Sequence, residues 1–418
     1  MVDSEGMTLT CAPLAHEDDS VDMSWTSWRI LIAADTFPPD VNGAARFTRD
    51  HAVRLSRRGH QVHVVAPATK FSTSSGIEKY DGEKIYVHRF RSVPWPLHDW
   101  LRFAPPWEVS GQMKRLLSAV RPDVIHIQSF MVIGRGAALE GHARGVPVIA
   151  TNHVMPENLI EYSGFPKAIH PAISRFGWRL AASTYEGVQV ITSPTPIAAE
   201  YLESRAGISP VEPVSCGIDV GRFTAKTRKP TDARVMYLGR LDREKNIATL
   251  IRAFALLAEK MDAHLDIVGS GSEKDVLETL ADECGIVNRV TFHGRVSDEE
   301  LELLHHRAAV FVMPSPAELQ SLASLEAMAS GTPIVVADEM ALPHLLTDGV
   351  EGYLSPTCDV NCFADRISRL LALDNETYMR FSGAARAKAL THDSAQIIRR
   401  YEGLYERAIG AMNAKQNV

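Results

Sequence analysis

Ten short runs rich in Val, Ile, Leu and Ala, most closed by Gly, Pro or Asn and leading into a helical pattern, limit what this chain can fold into. The first five are RILIAA (29–34), QVHVVAP (61–67), DVIHIQ (123–128), PVIATN (147–152) and VQVIT (188–192). The pattern restarts with RVMYLG (234–239), LDIVG (265–269), RVTFHG (289–294), VFVMP (310–314) and PIVVA (333–337). Strands without polar alternation are buried on both faces, which parallel sheets achieve when helices cover each side. Two series predict an α/β protein of two doubly wound, Rossmann-like domains, 28–205 and 206–392. They join near 200–232, where the charged stretch 224–234 reads as a surface connection.

Composition supports this division. A chain of 418 residues exceeds what one core of about 250–300 residues supports. No apolar run approaches the ~20 residues of a bilayer span, and the chain does not start with a basic segment before an apolar one. The expectation is a cytoplasmic protein. The five cysteines (Cys11, Cys216, Cys284, Cys358, Cys362) lack CxxC pairing and read as reduced thiols. The net charge of -7 is unevenly spread: residues 1–27 carry -6, residues 28–200 carry +6 and the remainder -7. Residues 1–27 are expected to be a disordered acidic tail. All six tryptophans precede residue 180.

Ligands of open parallel sheets bind beyond the carboxyl ends of the strands. After the first strand, DTFPPDVNGAARF (35–47) stiffens a loop with two prolines and permits a turn at Asn42-Gly43 before a helix. Amides at such a helix start attract phosphate or a carbonyl. In the second series, Arg240 and Lys245 in GRLDREKN can clamp a diphosphate as fork and point charge. VGSGSEKD (268–275) has Lys274 where a dinucleotide fingerprint needs its third glycine, so it gives little support to a dehydrogenase. Glu318 and Glu326 lie eight apart in PSPAELQSLASLEAMASGTPIVVAD (314–338), the first in a loop and the second two turns into a helix. A long ligand across that helix start meets amides near Ser321 and Leu322 with its anionic part, and both carboxylates with sugar or ribose hydroxyls. His153 closes the strand PVIATN, and His126 lies inside another strand.

These motifs, in order and at their spacing, resemble the retaining glycosyltransferases of the GT-B fold, family 4, over residues 29 to about 412. The resemblance implies a nucleoside-diphosphate sugar as donor. It assigns Arg240 and Lys245 to the diphosphate, Glu326 to the ribose, Glu318 to the transferred sugar, and the amides of Ser321 and Leu322 to sugar and phosphate. Gly43 is implied to approach the diphosphate from the other domain, His153 to contact the sugar near the reacting carbon, and Arg295 to pack against the nucleobase. It also implies a last helix, 393–418, that crosses back onto the first domain. The chain departs from the family in Leu319-Gln320-Ser321, often Gly-Phe-Gly, in Cys216, often Asn, and in Asn42-Gly43, often two glycines.

From residue 28 on there is no Asp-x-Asp pair, so the expected reaction uses no metal and no cofactor, with fixed cations and a helix start stabilising the leaving anion. The acceptor side falls to the basic first domain. Two stretches, 89–107 and 165–180, mix Arg and Lys with Trp and Phe, which suits the headgroup region of an anionic membrane. The expectation is a peripheral enzyme moving mannose or glucose to a lipid acceptor. A soluble small-molecule or polysaccharide acceptor, a sugar-nucleotide epimerase of the same fold, and a binding protein without transfer are the alternatives. Nothing calls for nucleic acid.

Overall fold

The computed structural model describes residues 27–40, 42–94, 102–160 and 166–416. The acidic segment 1–26, Val41 and the tryptophans Trp25, Trp95 and Trp100 lie outside the described residues.

The first sheet contains β1 (Arg29–Ala33), β2 (Gln61–Pro67), β3 (Ser74–Tyr80) and β4 (Glu83–Phe90). A small antiparallel pair, β5 (Val93–Pro94) and β6 (Arg102–Phe103), stands apart from it. The sheet resumes with β7 (Val124–Ile127), β8 (Val148–Thr151), β9 (Val190–Ser193) and β10 (Glu212–Pro213), in the order β10-β9-β8-β7-β1-β2-β4-β3. Only β3 runs antiparallel. Its helices are α1 (Gly43–Arg57), α2 (Pro106–Val120), α3 (Val132–His142), α4 (Pro156–Ile160), α5 (His170–Tyr185) and α6 (Pro196–Ala206).

The second sheet is wholly parallel: β11 (Ala233–Leu238), β12 (Ala263–Val268), β13 (Val290–Gly294), β14 (Val310–Met313), β15 (Ile334–Ala337) and β16 (Gly352–Ser355). Its order, β13-β12-β11-β14-β15-β16, is the Rossmann arrangement with its switch point between β11 and β14. The remaining helices are α7 (Ile247–Ala258), α8 (Lys274–Glu283), α9 (Asp298–Arg307), α10 (Leu322–Ala329), α11 (Val360–Ala372), α12 (Asn375–Leu390) and α13 (Ser394–Gln416).

Two features differ from the sequence reading. β10 still pairs with β9, so the first sheet continues past residue 205, and the chain enters the second core only at Ile218 and Val220. The stretch 224–234 is not all surface either. Lys226 is buried, donates to the His305 carbonyl at 2.8 Å and to Thr332 Oγ1 at 2.7 Å, and burial pulls its pKa to about 7.

The helix α13 covers one face of the first sheet, placing Ile397, Ile398, Tyr401, Leu404 and Tyr405 against Ile30, Val62, Val124 and Ile149. A buried polar chain fixes its register. Tyr405 OH bridges His51 Nε2 at 2.7 Å and His126 Nδ1 at 2.8 Å, and His126 Nε2 reaches Thr151 Oγ1 at 2.7 Å. A hydroxyl both donates and accepts, so one Tyr satisfies two neutral imidazoles. Tyr405→Phe leaves two buried ring nitrogens without partners and is expected to cost on the order of 1–3 kcal/mol. Urea denaturation of the two proteins checks this, and equal midpoints would contradict it.

Candidate active site

Each sheet delivers loops from the carboxyl ends of its strands to a cleft between the domains. After β1, Asp35 is buried, and its carboxylate accepts from Ser129 Oγ, Ile133 N (2.8 Å) and Gly134 N (3.2 Å). These bonds cap α3, whose own N-cap, Met131, supplies none. Desolvation raises the Asp35 pKa. Asn42 caps α1 by accepting from Ala45 N at 2.8 Å, and Gly43 follows at the first helical position. No atom lies within 4 Å of where a Cβ on Gly43 would stand, so the backbone there faces open space.

His153, beyond β8, is half-buried at the cavity, and desolvation pulls its pKa to about 3, so the ring is neutral. Its Nε2 donates to Gln128 Oε1 at 3.1 Å, while Nδ1 lies 4.0 Å from Cys216 Sγ. The Gln128 Nε2 amide is buried and bonds no protein group. Burial pushes the Cys216 thiol pKa up to about 12, which makes it a poor nucleophile.

In the second domain, the loops 239–241 and 269–271 cross at close range. A Cβ on Gly269 (φ +134°) would lie 1.8 Å from the Gly239 carbonyl oxygen, and one on Gly271 would lie 2.4 Å from that of Leu241. The GSG sequence therefore serves loop packing. Arg240 does not face the cleft freely: it pairs with Asp242 and with Glu244 Oε1, the latter at 2.5 Å. Lys245 Nζ donates to Glu318 Oε1 at 2.6 Å. Ser321 caps α10, its Oγ accepting from Ser324 N at 3.2 Å. Arg295 is exposed, with Nε donating to Ser270 Oγ at 3.2 Å.

Gly43, His153, Lys245, Glu318 and Leu322 line one cavity of about 440 Å³ between the domains. Its first-domain wall is mostly apolar, with Phe103, Phe130, Met131, Met155, Ile160 and Phe176 beside the polar groups of Asp35, Asn42, Arg102, Gln128 and His153. Glu326 lines a neighbouring cavity of about 360 Å³, and Leu322 borders both. Arg240, Arg295 and Ser321 line neither.

Three groups at the site escaped the sequence reading. Gln128 is read there as strand. Gln320, at a departure from the family pattern, staples the cleft: its Oε1 accepts from Cys216 N at 2.8 Å and its Nε2 donates to Ser215 Oγ at 2.9 Å. Arg46, one turn into α1, pairs with Glu326 across the cleft. The one available signal was the strand-end position of Gln128.

Sequence comparison matches residues 41–222 to the profile described as Glycosyltransferase Family 4, and residues 222–388 to Glycosyl transferases group 1. The chain is a glycosyltransferase of the GT-B, family 4 type. It is an enzyme of the hexosyltransferase class with the GT-B fold, as the motifs implied. It is 27% identical over 392 residues to a GDP-mannose-dependent alpha-mannosyltransferase of Mycolicibacterium smegmatis, covering 91% of this chain and 98% of that one. It is 25% identical over 341 residues to the alpha-monoglucosyldiacylglycerol synthase of Streptococcus pneumoniae, covering 78% and 75%. An Anabaena protein crystallised with UDP superposes with a TM-score of 0.69 at 18% identity, covering 90% of this chain and 99% of that one.

The neutral histidines give this family member a specific acid sensitivity. His51, His153 and His305 each have a folded pKa near 3 against an ordinary 6.5. A depressed pKa means that the unfolded chain binds the proton more readily, so this stability is complete above pH 6.5 and is lost as pH falls toward 3. Calorimetry is expected to show a melting temperature that drops steadily from about pH 6.5 to about pH 4. A flat profile there would contradict buried neutral rings.

Proposed function

We propose that this chain transfers a hexose, mannose or glucose, from a nucleoside-diphosphate sugar to a membrane glycolipid acceptor, with retention of anomeric configuration and without a metal ion. The observation that carries the reading is the main cavity itself. Glu318, Lys245 and the start of α10 stand on its second-domain side, and an apolar wall stands opposite. The UDP held by the Anabaena neighbour supports a nucleotide ligand in a fold of this type.

The donor diphosphate lies against Lys245 and the amides of Ser321 and Leu322, with Gly43 approaching from the other domain. To join them, Arg240 exchanges Asp242 and Glu244 for phosphate oxygens. Glu318, released from Lys245, accepts from sugar hydroxyls, and Glu326 takes the ribose. The bond from the anomeric carbon to the phosphate oxygen breaks while the acceptor oxygen bonds that carbon from the same face, and the acceptor proton passes to the departing phosphate. No covalent enzyme intermediate forms. The neutral His153 ring, tied back to Gln128, contacts the sugar near the reacting carbon without adding charge. Closure of the cleft excludes water that would hydrolyse the donor.

The acceptor reading rests on the apolar wall and on the surface around it. Phe176, 66% exposed, stands at the cavity, with Lys167, Arg175 and Arg179 near it in the chain. Trp107 is 79% exposed, and Phe71 lies under the Arg91 guanidinium at 4.1 Å. Among the described residues no helix is long and apolar enough to cross a membrane, so contact would be peripheral. The diacylglycerol and mannosyl relatives support a lipid acceptor and a hexose donor.

Lys245→Ala and Arg240→Ala are each expected to lower turnover by about 3 kcal/mol, comparable to losing one oxyanion donor, and EDTA is expected to leave turnover unchanged. Near-normal turnover in both variants, or loss of activity with EDTA, would sink the donor assignment. Co-sedimentation with anionic liposomes at low salt is expected, and its absence would remove the lipid reading.

A further inference from the structure

Glu326 is 1% exposed and lies in α10 of the second domain. One of its oxygens, Oε1, accepts from Arg46 of α1 in the first domain. The other, Oε2, is buried and bonds no protein group, and the residue borders the second cavity. A buried acceptor without a partner is costly, and a cavity beside it points to a hydroxyl or amine ligand.

We propose that Arg46 is a positioning residue for the donor: from the opposite domain it fixes Glu326 so that Oε2 accepts a hydroxyl of the donor ribose. This rests on the assignment of Glu326 to the ribose made above. A carboxylate this buried requires a counter-charge, and Arg46 supplies it. Arg46 is itself oriented by Asp50, 3.8 Å away on the same helix. Each carboxylate oxygen offers two acceptor positions, so Oε1 keeps capacity for a second hydroxyl while Arg46 stays bound. The first turn of α1 therefore serves both cavities, Gly43 bordering the sugar side and Arg46 the ribose side. Because the two partners belong to different domains, the ribose site is complete only when the cleft is closed, which ties nucleotide affinity to domain closure.

Calorimetric titration of UDP and of GDP into the full chain tests this. Arg46→Gln is expected to weaken the tighter of the two nucleotides on the order of tenfold, and Arg46→Lys to restore part of the loss. Unchanged or tighter binding by Arg46→Gln, or no recovery in Arg46→Lys, would overturn the proposal and make Arg46 a competitor of the ribose or a brace between domains. Glu326→Gln with full affinity would instead refute the ribose assignment itself.

Discussion

Parallel pairing is the constraint on which the rest of this structure depends. Strands that run the same way end along one edge, so every loop that follows a carboxyl end collects there. In the first sheet that edge carries Asn42, Gly43, Gln128 and His153. In the second it carries Gly239, Lys245 and Glu318. With the two edges facing one another, residues hundreds of positions apart line one cavity. Helix α13 secures the arrangement from behind, since a chain that has just built the second domain returns to bury the first sheet.

The charges of the cleft are held by one another. Lys245 pairs with Glu318, Arg46 with Glu326, and Arg240 with Asp242 and Glu244. A diphosphate and vicinal hydroxyls can exchange with such pairs because they present the same complementary groups: anionic oxygens for the cations and O–H donors for the carboxylates. On the proposed reading, donor binding exchanges the partners of Lys245 and Arg240, while Arg46 stays on Glu326 as the ribose binds.

How much could be read from the sequence follows from this physics. Nine of the ten strands were legible because burial on both faces leaves a continuous apolar run, while the tenth, β13, is a partly exposed edge strand. The hairpin β3–β4 was not: β3 is an exposed edge, with Ile77 54% exposed and Ser, Glu and Lys around it, and it carries no such signal. Lys226 was taken for surface because its partners, the His305 carbonyl and Thr332, lie about 80 and 106 residues away. Among site residues, Lys245, Glu318 and Leu322 border one cavity, whereas Glu326 borders the neighbouring one, which Leu322 also reaches. Arg240 was placed on the cleft by its strand-end position, but acids two and four residues further on hold it locally. Arg46 and Gln320 make contacts that exist only once the domains meet, and no local pattern records them.

The central claim is that the donor diphosphate displaces Glu318 from Lys245. A crystal structure of the enzyme with UDP-glucose or GDP-mannose tests it most directly. The account expects Lys245 Nζ within about 3 Å of a phosphate oxygen and Glu318 turned onto sugar hydroxyls. A bound donor with the pair Lys245–Glu318 intact and the diphosphate elsewhere would contradict it.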